Sequence, residues 1–204
     1  MKGETKVNKL INRIMLKMKI LNDAYANNQL IAFRTPKEEW GETIVGHIKK
    51  LTPENITVKE ISEYGESIGT TTFKVDDLIN IVVEDKTLRC LEYTEKMSKR
   101  LSAAKCTTIW GNGFETKEQI LDRMKERKII TLFVEDGEDD DTNVIGFVED
   151  VDDKSVLVEM IDEYGEKNGK ILVPLETITG VRWESLEDNS RWLLYQNSQT
   201  VMKK

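Results

Sequence analysis

A run of acidic side chains in the second half of the chain has the composition of a calcium-binding loop. Residues 135–141 read Glu-Asp-Gly-Glu-Asp-Asp-Asp, and carboxylate oxygens are ligands that calcium prefers. The run lacks the order of alternating acids, central glycine and distal glutamate that an EF-hand uses. We therefore interpret it as a solvated hairpin loop and predict neither a metal nor a cofactor. Its candidates for an interaction surface are Glu135, Asp139, Asp140 and Asp141.

Few side chains offer catalytic chemistry. His47 is the only histidine, and Phe147 stands one hundred positions later, so His47 is predicted to fill space more than to transfer protons. No serine or cysteine can be given a histidine base by a local motif, and neither a Walker loop nor a dinucleotide fingerprint is present. Cys90 and Cys106 lack the paired spacing of a zinc site and are expected to be reduced thiols. These residues predict a protein without enzymatic activity.

A second candidate surface comes from a stretch that occurs twice. Residues 61–69 read ISEYGESIG, and residues 161–169 read IDEYGEKNG. A tyrosine before a turn glycine can pack its ring on the end of a sheet, and we favour this structural interpretation. The alternative is a recognition surface, because aromatic residues are enriched at binding hot spots. Its members would be Tyr64, Glu66, Tyr164 and Glu166.

The offset of one hundred positions extends beyond this stretch. It runs without a gap from about residues 17 and 117 to residues 84 and 184, and it pairs Phe33 with Phe133. Apolar character persists where identity fails, as a shared core demands. The sequence therefore predicts an internal duplication with two similar domains in tandem. The predicted boundaries are 1–85 for the first domain, 86–115 for a helical linker and 116–204 for the second domain with its tail.

Hydrophobic periodicity gives each repeat the same plan. A helical period covers about residues 5–26, and an alternating period follows it. A second helix is predicted to start at Thr116, with Gln119 completing a capping box. The linker is predicted to be helical over about residues 85–113, and the last residues to form a polar tail. Strands are predicted near residues 30–34, 43–51, 55–62, 70–75 and 78–84, with equivalents in the second domain.

A helix followed by five short, bent strands resembles the Sm-like fold, one of the small SH3-like β-barrels. The resemblance implies an α+β chain, mainly β, with two tandem small bent barrels that each follow a helix. In that family an Asp and Asn pair and an Arg-Gly pair bind RNA bases, and neither pair has a match here, so base binding does not carry over. The residues that carry the resemblance are Gly46-His47-Ile48, 56–61, Tyr64-Gly65, Phe73-Lys74-Val75, Leu78 and Ile81.

Charge is divided unevenly between the halves. Residues 1–100 carry a net charge of +2 and residues 101–204 a net charge of −9, which together give −7. An acidic second half argues against a broad grip on nucleic acid, which needs Lys and Arg. The first helix does carry a basic stripe, which we interpret as a solvated face, with a docking face for an acidic partner or membrane as the alternative. The stripe consists of Lys2, Lys6, Lys9, Arg13 and Lys17.

These patterns favour one class of function over two others. The expected function is a protein-interaction module with an unidentified protein partner, in one form a bacterial immunity or antitoxin-type protein whose acidic surface masks a basic toxin. RNA binding through the fold and the basic first helix is the alternative, and an enzyme comes third. No apolar run reaches the roughly 18 residues of a membrane span, and the start does not resemble a signal peptide. The expected compartment is the cytoplasm.

Overall fold

The computed structural model describes residues 4–35, 43–101, 105–135 and 142–201. The chain divides into two compact units, unit 1 (Met1–Glu95) and unit 2 (Lys96–Lys204). Its helices are α1 (Glu4–Ala26), α2 (Lys86–Leu101), α3 (Lys117–Glu126) and α4 (Leu186–Val201). None of these helices is both long and apolar enough to cross a membrane.

Each unit contains one antiparallel sheet, and the fold is mixed α+β. The first sheet has the strand order β4-β3-β2-β1-β5, and the second has the order β10-β9-β8-β7-β11-β6. The strands of unit 1 are β1 (Leu30–Arg34), β2 (Ile44–Leu51), β3 (Asn55–Ile61), β4 (Ser67–Lys74) and β5 (Asn80–Val83). Those of unit 2 are β6 (Thr107–Trp110), β7 (Ile129–Val134), β8 (Thr142–Val151), β9 (Ser155–Ile161), β10 (Lys167–Pro174) and β11 (Ile178–Trp183).

The predicted small barrel is not confirmed, because neither sheet closes on itself. In each unit the first five strands of the sheet follow one order, and a single 3-10 turn precedes the fifth strand. These turns are Val75–Asp77 and Leu175–Thr177. The structure therefore supports two open antiparallel sheets of the same strand order.

Alternation along each strand gives the sheets two apolar faces. In β1, Ile31 and Phe33 join the core under α1, while Leu30 and Ala32 join the cluster that contains Leu88 of α2. In unit 2 the corresponding clusters contain a residue of α3 on one face and residues of α4 on the other. Each sheet is thus covered on both faces by helices of its own unit. The helix residues are Leu21, Ala24, Leu88 and Leu91 in unit 1, and Ile120, Trp192 and Tyr195 in unit 2.

The prediction of a single ungapped offset of 100 is wrong by one position at strands β1 and β7. Leu30 lies opposite His47 in the first sheet, and Ile129 lies opposite Phe147 in the second. Strands β1 and β7 therefore correspond at an offset of 99. Unit 2 has one more residue than unit 1 between β7 and β8, so the following strands correspond at an offset of 100. The fully buried Phe33 then corresponds to the fully buried Leu132, not to Phe133.

Three local predictions are also wrong. The linker helix α2 ends at Leu101, and the later part of the predicted helix is strand β6. The predicted polar tail is helix α4. Thr116 precedes α3 but makes no side-chain cap, since its backbone (φ −94°, ψ 3°) is not in the extended conformation typical of an N-cap residue. Its hydroxyl donates to the carbonyl of Asn112 at 3.1 Å. At β6 the pairing with β11 overrides the helical signal of the preceding residues.

Candidate functional site

The clearest difference between the two sheets is at one edge. Strand β5 pairs with β1 and ends the first sheet. The matching strand β11 pairs with β7 and also with β6, which extends the second sheet by one strand. Within the described ranges no strand lies on the outer side of β5. We name this outer side the β5 edge.

Strand register establishes that β5 and β11 match. Ile31 lies opposite Val83 in unit 1, and Ile130, the equivalent of Ile31, lies opposite Trp183 in unit 2. Positions 80–83 therefore correspond to positions 180–183. In the second sheet these positions face β6 in antiparallel order, with Gly180 opposite Trp110, Val181 opposite Ile109, Arg182 opposite Thr108 and Trp183 opposite Thr107.

The hydrogen-bonding groups of the β5 edge follow from the filled edge of unit 2. The Gly111 N–H donates to the carbonyl of Thr179 at 3.0 Å, on the β6 side of β11. The backbone groups of successive residues in an antiparallel strand point to opposite sides, so the same side recurs at every second residue. The backbone groups of positions 181 and 183 therefore also face β6. The matching backbone groups of Ile81 and Val83 therefore point out of the first sheet, towards the β5 edge.

The first two residues of β5 are less buried than the matching residues of β11, as expected for a strand that lacks an outer neighbour. In unit 2, Val181 is fully buried, and Ile109 packs against the same core. In unit 1, the matching Ile81 is only half-buried although it packs against the core under α1. Ile79, next to the strand, is 58% exposed. An added strand with an apolar residue opposite Ile81 would cover this surface.

A further difference concerns the residue opposite Trp110. The Trp110 ring lies over Gly180, where an added Cβ would meet it at 2.7 Å, and it contacts the Phe133 ring with a centroid distance of 4.7 Å. In unit 1 the positions of Gly180 and Phe133 are held by Asn80 and Arg34. An occupant of the β5 edge would therefore meet a guanidinium group where β6 meets an aromatic ring.

The opposite edges of the two sheets, β4 and β10, have no added strand from the part of the chain that the structure describes. Strand β10 carries Pro174 and two lysines, features that natural edge strands use against unwanted pairing. Lys170 bonds to Glu149 at 2.7 Å and thereby lowers the pKa of that carboxyl. Strand β5 carries neither lysine nor proline. The β5 edge thus lacks both a covering strand and these protective residues.

The repeated Tyr-Gly loops have a packing role. Gly65 has φ +78°, and an added Cβ would lie 2.5 Å from the Glu95 backbone of α2. Gly165 makes the same approach to the Tyr195 backbone of α4. Both tyrosines of these loops are half-buried and both following glutamates are exposed. The loops join the third and fourth strands of their sheets, at the far end of the strand order from β5 or β11. The predicted surface residues in these loops are Tyr64, Glu66, Tyr164 and Glu166.

The acidic candidates are only partly described. Glu135 is exposed, and its N–H donates to the carbonyl of Thr177 at 2.9 Å. Asp139, Asp140 and Asp141 lie outside the described residues. Across the described ranges no three His, Cys, Asp or Glu side chains gather as metal ligands.

Several other acids of unit 2 form ion pairs within the unit, with cations that the net charge of −9 over residues 101–204 already includes. The distances are 2.9 Å for Arg123 and Glu126, 3.1 Å for Lys117 and Asp153, and 3.4 Å for Lys128 and Glu184.

His47 does more than fill space. Its Nδ1 lies 2.9 Å from the Asn28 carbonyl oxygen, and its Nε2 lies 2.8 Å from a carboxylate oxygen of Glu95. Because both ring nitrogens are engaged, neither one is open to a substrate. The structure gives His47 a role in fixing α2 on the first sheet.

The basic stripe of α1 is partly used inside unit 1. The Lys17 ammonium donates to the carbonyls of Val75 and Leu78 at 3.1 and 3.0 Å. In unit 2 the Gly113 N–H donates to the Leu175 carbonyl, which matches that of Val75, at 3.0 Å. Lys17 therefore serves the fold. The remaining side chains of the stripe lie outside what the structure describes.

Sequence reasoning missed strand β6, and with it the β5 edge. The run Thr107-Thr108-Ile109-Trp110 contains β-branched and aromatic residues and is followed by glycine, which is a strand signal. The preceding residues have helical spacing, and the helix predicted from that spacing includes these four residues. The open edge of β5 has no local signal at all, since it depends on which strands become neighbours.

Comparisons with protein-family models, with curated proteins and with solved structures find no match to this chain. The β5 edge is therefore interpreted through the chain's own second unit, where the matching edge is filled. That comparison rests on strand register, which is independent of sequence identity.

Proposed function

We propose that the chain is a non-enzymatic protein-interaction module that takes an extended segment of a partner protein onto the β5 edge. The observation that carries this proposal is the pairing of β11 with β6, where the matching β5 has no described strand on its outer side. Addition of a strand to an exposed sheet edge is a common mode of peptide recognition. Main-chain hydrogen bonds supply affinity in this mode, and side-chain pockets supply specificity.

The proposed interaction has two sources of free energy. The outward backbone groups of Ile81 and Val83 each gain a partner, at about 1 kcal/mol per net hydrogen bond. Covering the half-buried Ile81 and the exposed Ile79 adds about 25 cal/mol for each Å² of apolar surface removed from water. An interaction built from these parts is specific and reversible, which suits a regulated protein contact.

Other features of the chain bear on its fold family, its compartment and the alternative functions. The shared order of five strands and the 3-10 turn before the fifth support the Sm-like or SH3-like resemblance, and the common order in both units supports an internal duplication. Cys90 and Cys106 are present as thiols, which favours the cytoplasm. An immunity or antitoxin role through the acidic surface has no specific contact in its favour among the described residues. RNA binding has no specific observation in its favour.

A selection from a library of random 12-residue peptides tests the proposal. The immobilised full chain is expected to enrich peptides, and titration of an enriched peptide is expected to shift the amide NMR signals of β5 and β1. Ile81→Pro removes an outward N–H without removing a bond to β1, and it should abolish enrichment. Because this variant also loses apolar contacts, the NMR map on the wild-type chain is the decisive readout. Enriched peptides that map to β4 or to unit 2, or no enrichment, would overturn the proposal.

A further inference from the structure

We infer that the segment bound at the β5 edge carries a β-branched aliphatic residue followed directly by an acidic residue. This inference rests on the proposed function and specifies the chemistry of the partner. It derives from the occupant of the matching edge, strand β6, and from the residues of unit 1 that would face such an occupant.

The aliphatic position follows from Ile109. This residue lies opposite Val181 and packs into the core of unit 2. Ile81 holds the place of Val181 and packs against the core under α1 while remaining half-buried. A β-branched aliphatic residue opposite Ile81 fits a pleated, half-buried surface. The added strand would run antiparallel to β5, as β6 runs to β11.

The acidic position follows from the residue after Ile109. Trp110 lies opposite Gly180 and reaches across it to the Phe133 ring. Phe133 lies opposite Gly180 in the sheet, as Arg34 lies opposite Asn80. A side chain opposite Asn80 would therefore approach Arg34.

Arg34 is suited to receive a carboxylate. Its side chain is exposed, and its Nε donates to the Thr43 hydroxyl at 3.1 Å. Guanidinium groups recognise carboxylates through paired N–H donors. Asn80 also leaves less room than Gly180 for a ring the size of Trp110. The edge of unit 1 therefore favours an acid where unit 2 accepts an aromatic residue.

Parallel selections of random 12-residue peptides on the wild-type chain and on Arg34→Glu test the inference. The wild-type chain should enrich Ile or Val followed by Asp or Glu, and Arg34→Glu should enrich Ile or Val followed by Lys or Arg. Arg34→Gln should keep the aliphatic preference and lose the charge preference. With one enriched synthetic peptide and its Glu→Lys counterpart, the wild-type chain should prefer the acidic peptide by about fivefold, the size of an exposed ion pair.

The outcomes separate this inference from the proposed function. Peptides that map to β5 but show no acidic preference, or a preference that Arg34→Glu leaves unchanged, overturn the inference alone. Enrichment of aromatic residues in place of the acid also overturns it. Failure to enrich any peptide, or enrichment that survives Ile81→Pro and maps away from β5, overturns the proposed function as well.

Discussion

His47 Nε2 lies 2.8 Å from Glu95 Oε2, and at the matching positions of unit 2 the rings of Phe147 and Tyr195 meet at a centroid distance of 5.0 Å. One place in the fold thus holds a polar pair in unit 1 and an aromatic pair in unit 2. The pair joins β2 to α2 in unit 1 and β8 to α4 in unit 2. Glu95 and Tyr195 correspond at an offset of 100, because Gly65 approaches the Glu95 backbone and Gly165 approaches the Tyr195 backbone.

We expect the two pairs to be interchangeable as pairs but not as single residues. His47→Phe removes the Nε2 partner of Glu95, which keeps Lys59 at 3.8 Å, and Glu95→Tyr removes one of the two acceptors of His47, which keeps the Asn28 carbonyl. Each single change should cost about 1 kcal/mol, the net value of one hydrogen bond, because each remaining residue keeps a second partner. The double variant should cost less than the sum of the two, measured by hydrogen exchange of the α2 amides. Simple additivity would show that the pair is not an interacting unit.

Gly65→Ala should destabilise unit 1, because φ +78° is strained for alanine and its Cβ would lie 2.5 Å from the Glu95 backbone. The expected cost is at least about 1–2 kcal/mol, read as loss of exchange protection in α2. Gly69→Ala is the matched control, since no atom lies within 4 Å of the Cβ that it would add. Equal effects of the two changes would refute the packing role of the repeated loop.

A buried carboxylate fixes α4 in unit 2. Asp188 is 2% exposed and accepts hydrogen bonds from the Thr131 hydroxyl at 2.7 Å and the Ser185 N–H at 3.0 Å. Arg182 also donates to Thr131, at 3.1 Å. Asp188→Ala should destabilise unit 2 by about 3 kcal/mol, because the buried groups around it lose their partner. Urea unfolding followed by tryptophan fluorescence measures this cost.

Unit 1 supplies the control for this network. The positions of Thr131, Arg182 and Asp188 are held there by the apolar residues Ala32, Val82 and Leu88. The triple variant Thr131→Ala, Arg182→Val, Asp188→Leu should therefore recover most of the stability that Asp188→Ala loses, as buried ionic groups can often be replaced by packed apolar ones. A triple variant less stable than Asp188→Ala would contradict the correspondence of the two units.

The bounds of most strands could be predicted from the sequence, whereas the pairing of one strand with another could not. The alternation around Ile44, Gly46 and Ile48 reports which side chains share a face, so the strands of both units except β6 are predicted close to their observed bounds. The constant offset of one hundred pairs Phe33 with Phe133, and only the register shows Leu132 in the equivalent place. The β5 edge could not be predicted, since an edge is a property of the assembled sheet.

The β8–β9 turn should respond to acid. The N–H groups of Lys154 and Ser155 donate to the Asp152 carboxylate at 2.7 Å, and they lower the pKa of this carboxyl. A carboxyl with a lower pKa in the folded chain stabilises it above the unfolded pKa, about 3.9, and this stabilisation is lost as the pH falls through the folded pKa. The wild-type chain should therefore exceed Asp152→Asn in thermal stability at neutral pH, with a difference that closes in acid. Thermal midpoints from pH 6 to pH 2.5 that remain parallel would exclude this role for Asp152.

Amide hydrogen exchange at Ile81 and Val181, resolved by NMR on the full chain, tests the open β5 edge most directly. The two residues occupy matching positions, and only Val181 has β6 opposite its outward backbone groups. In the free chain the Ile81 amide should exchange much faster than the Val181 amide, and a saturating peptide enriched by the wild-type chain should slow Ile81 without changing Val181. An Ile81 amide that is already as protected as Val181 in the free chain, or one that the bound peptide leaves unchanged, would contradict strand addition at β5.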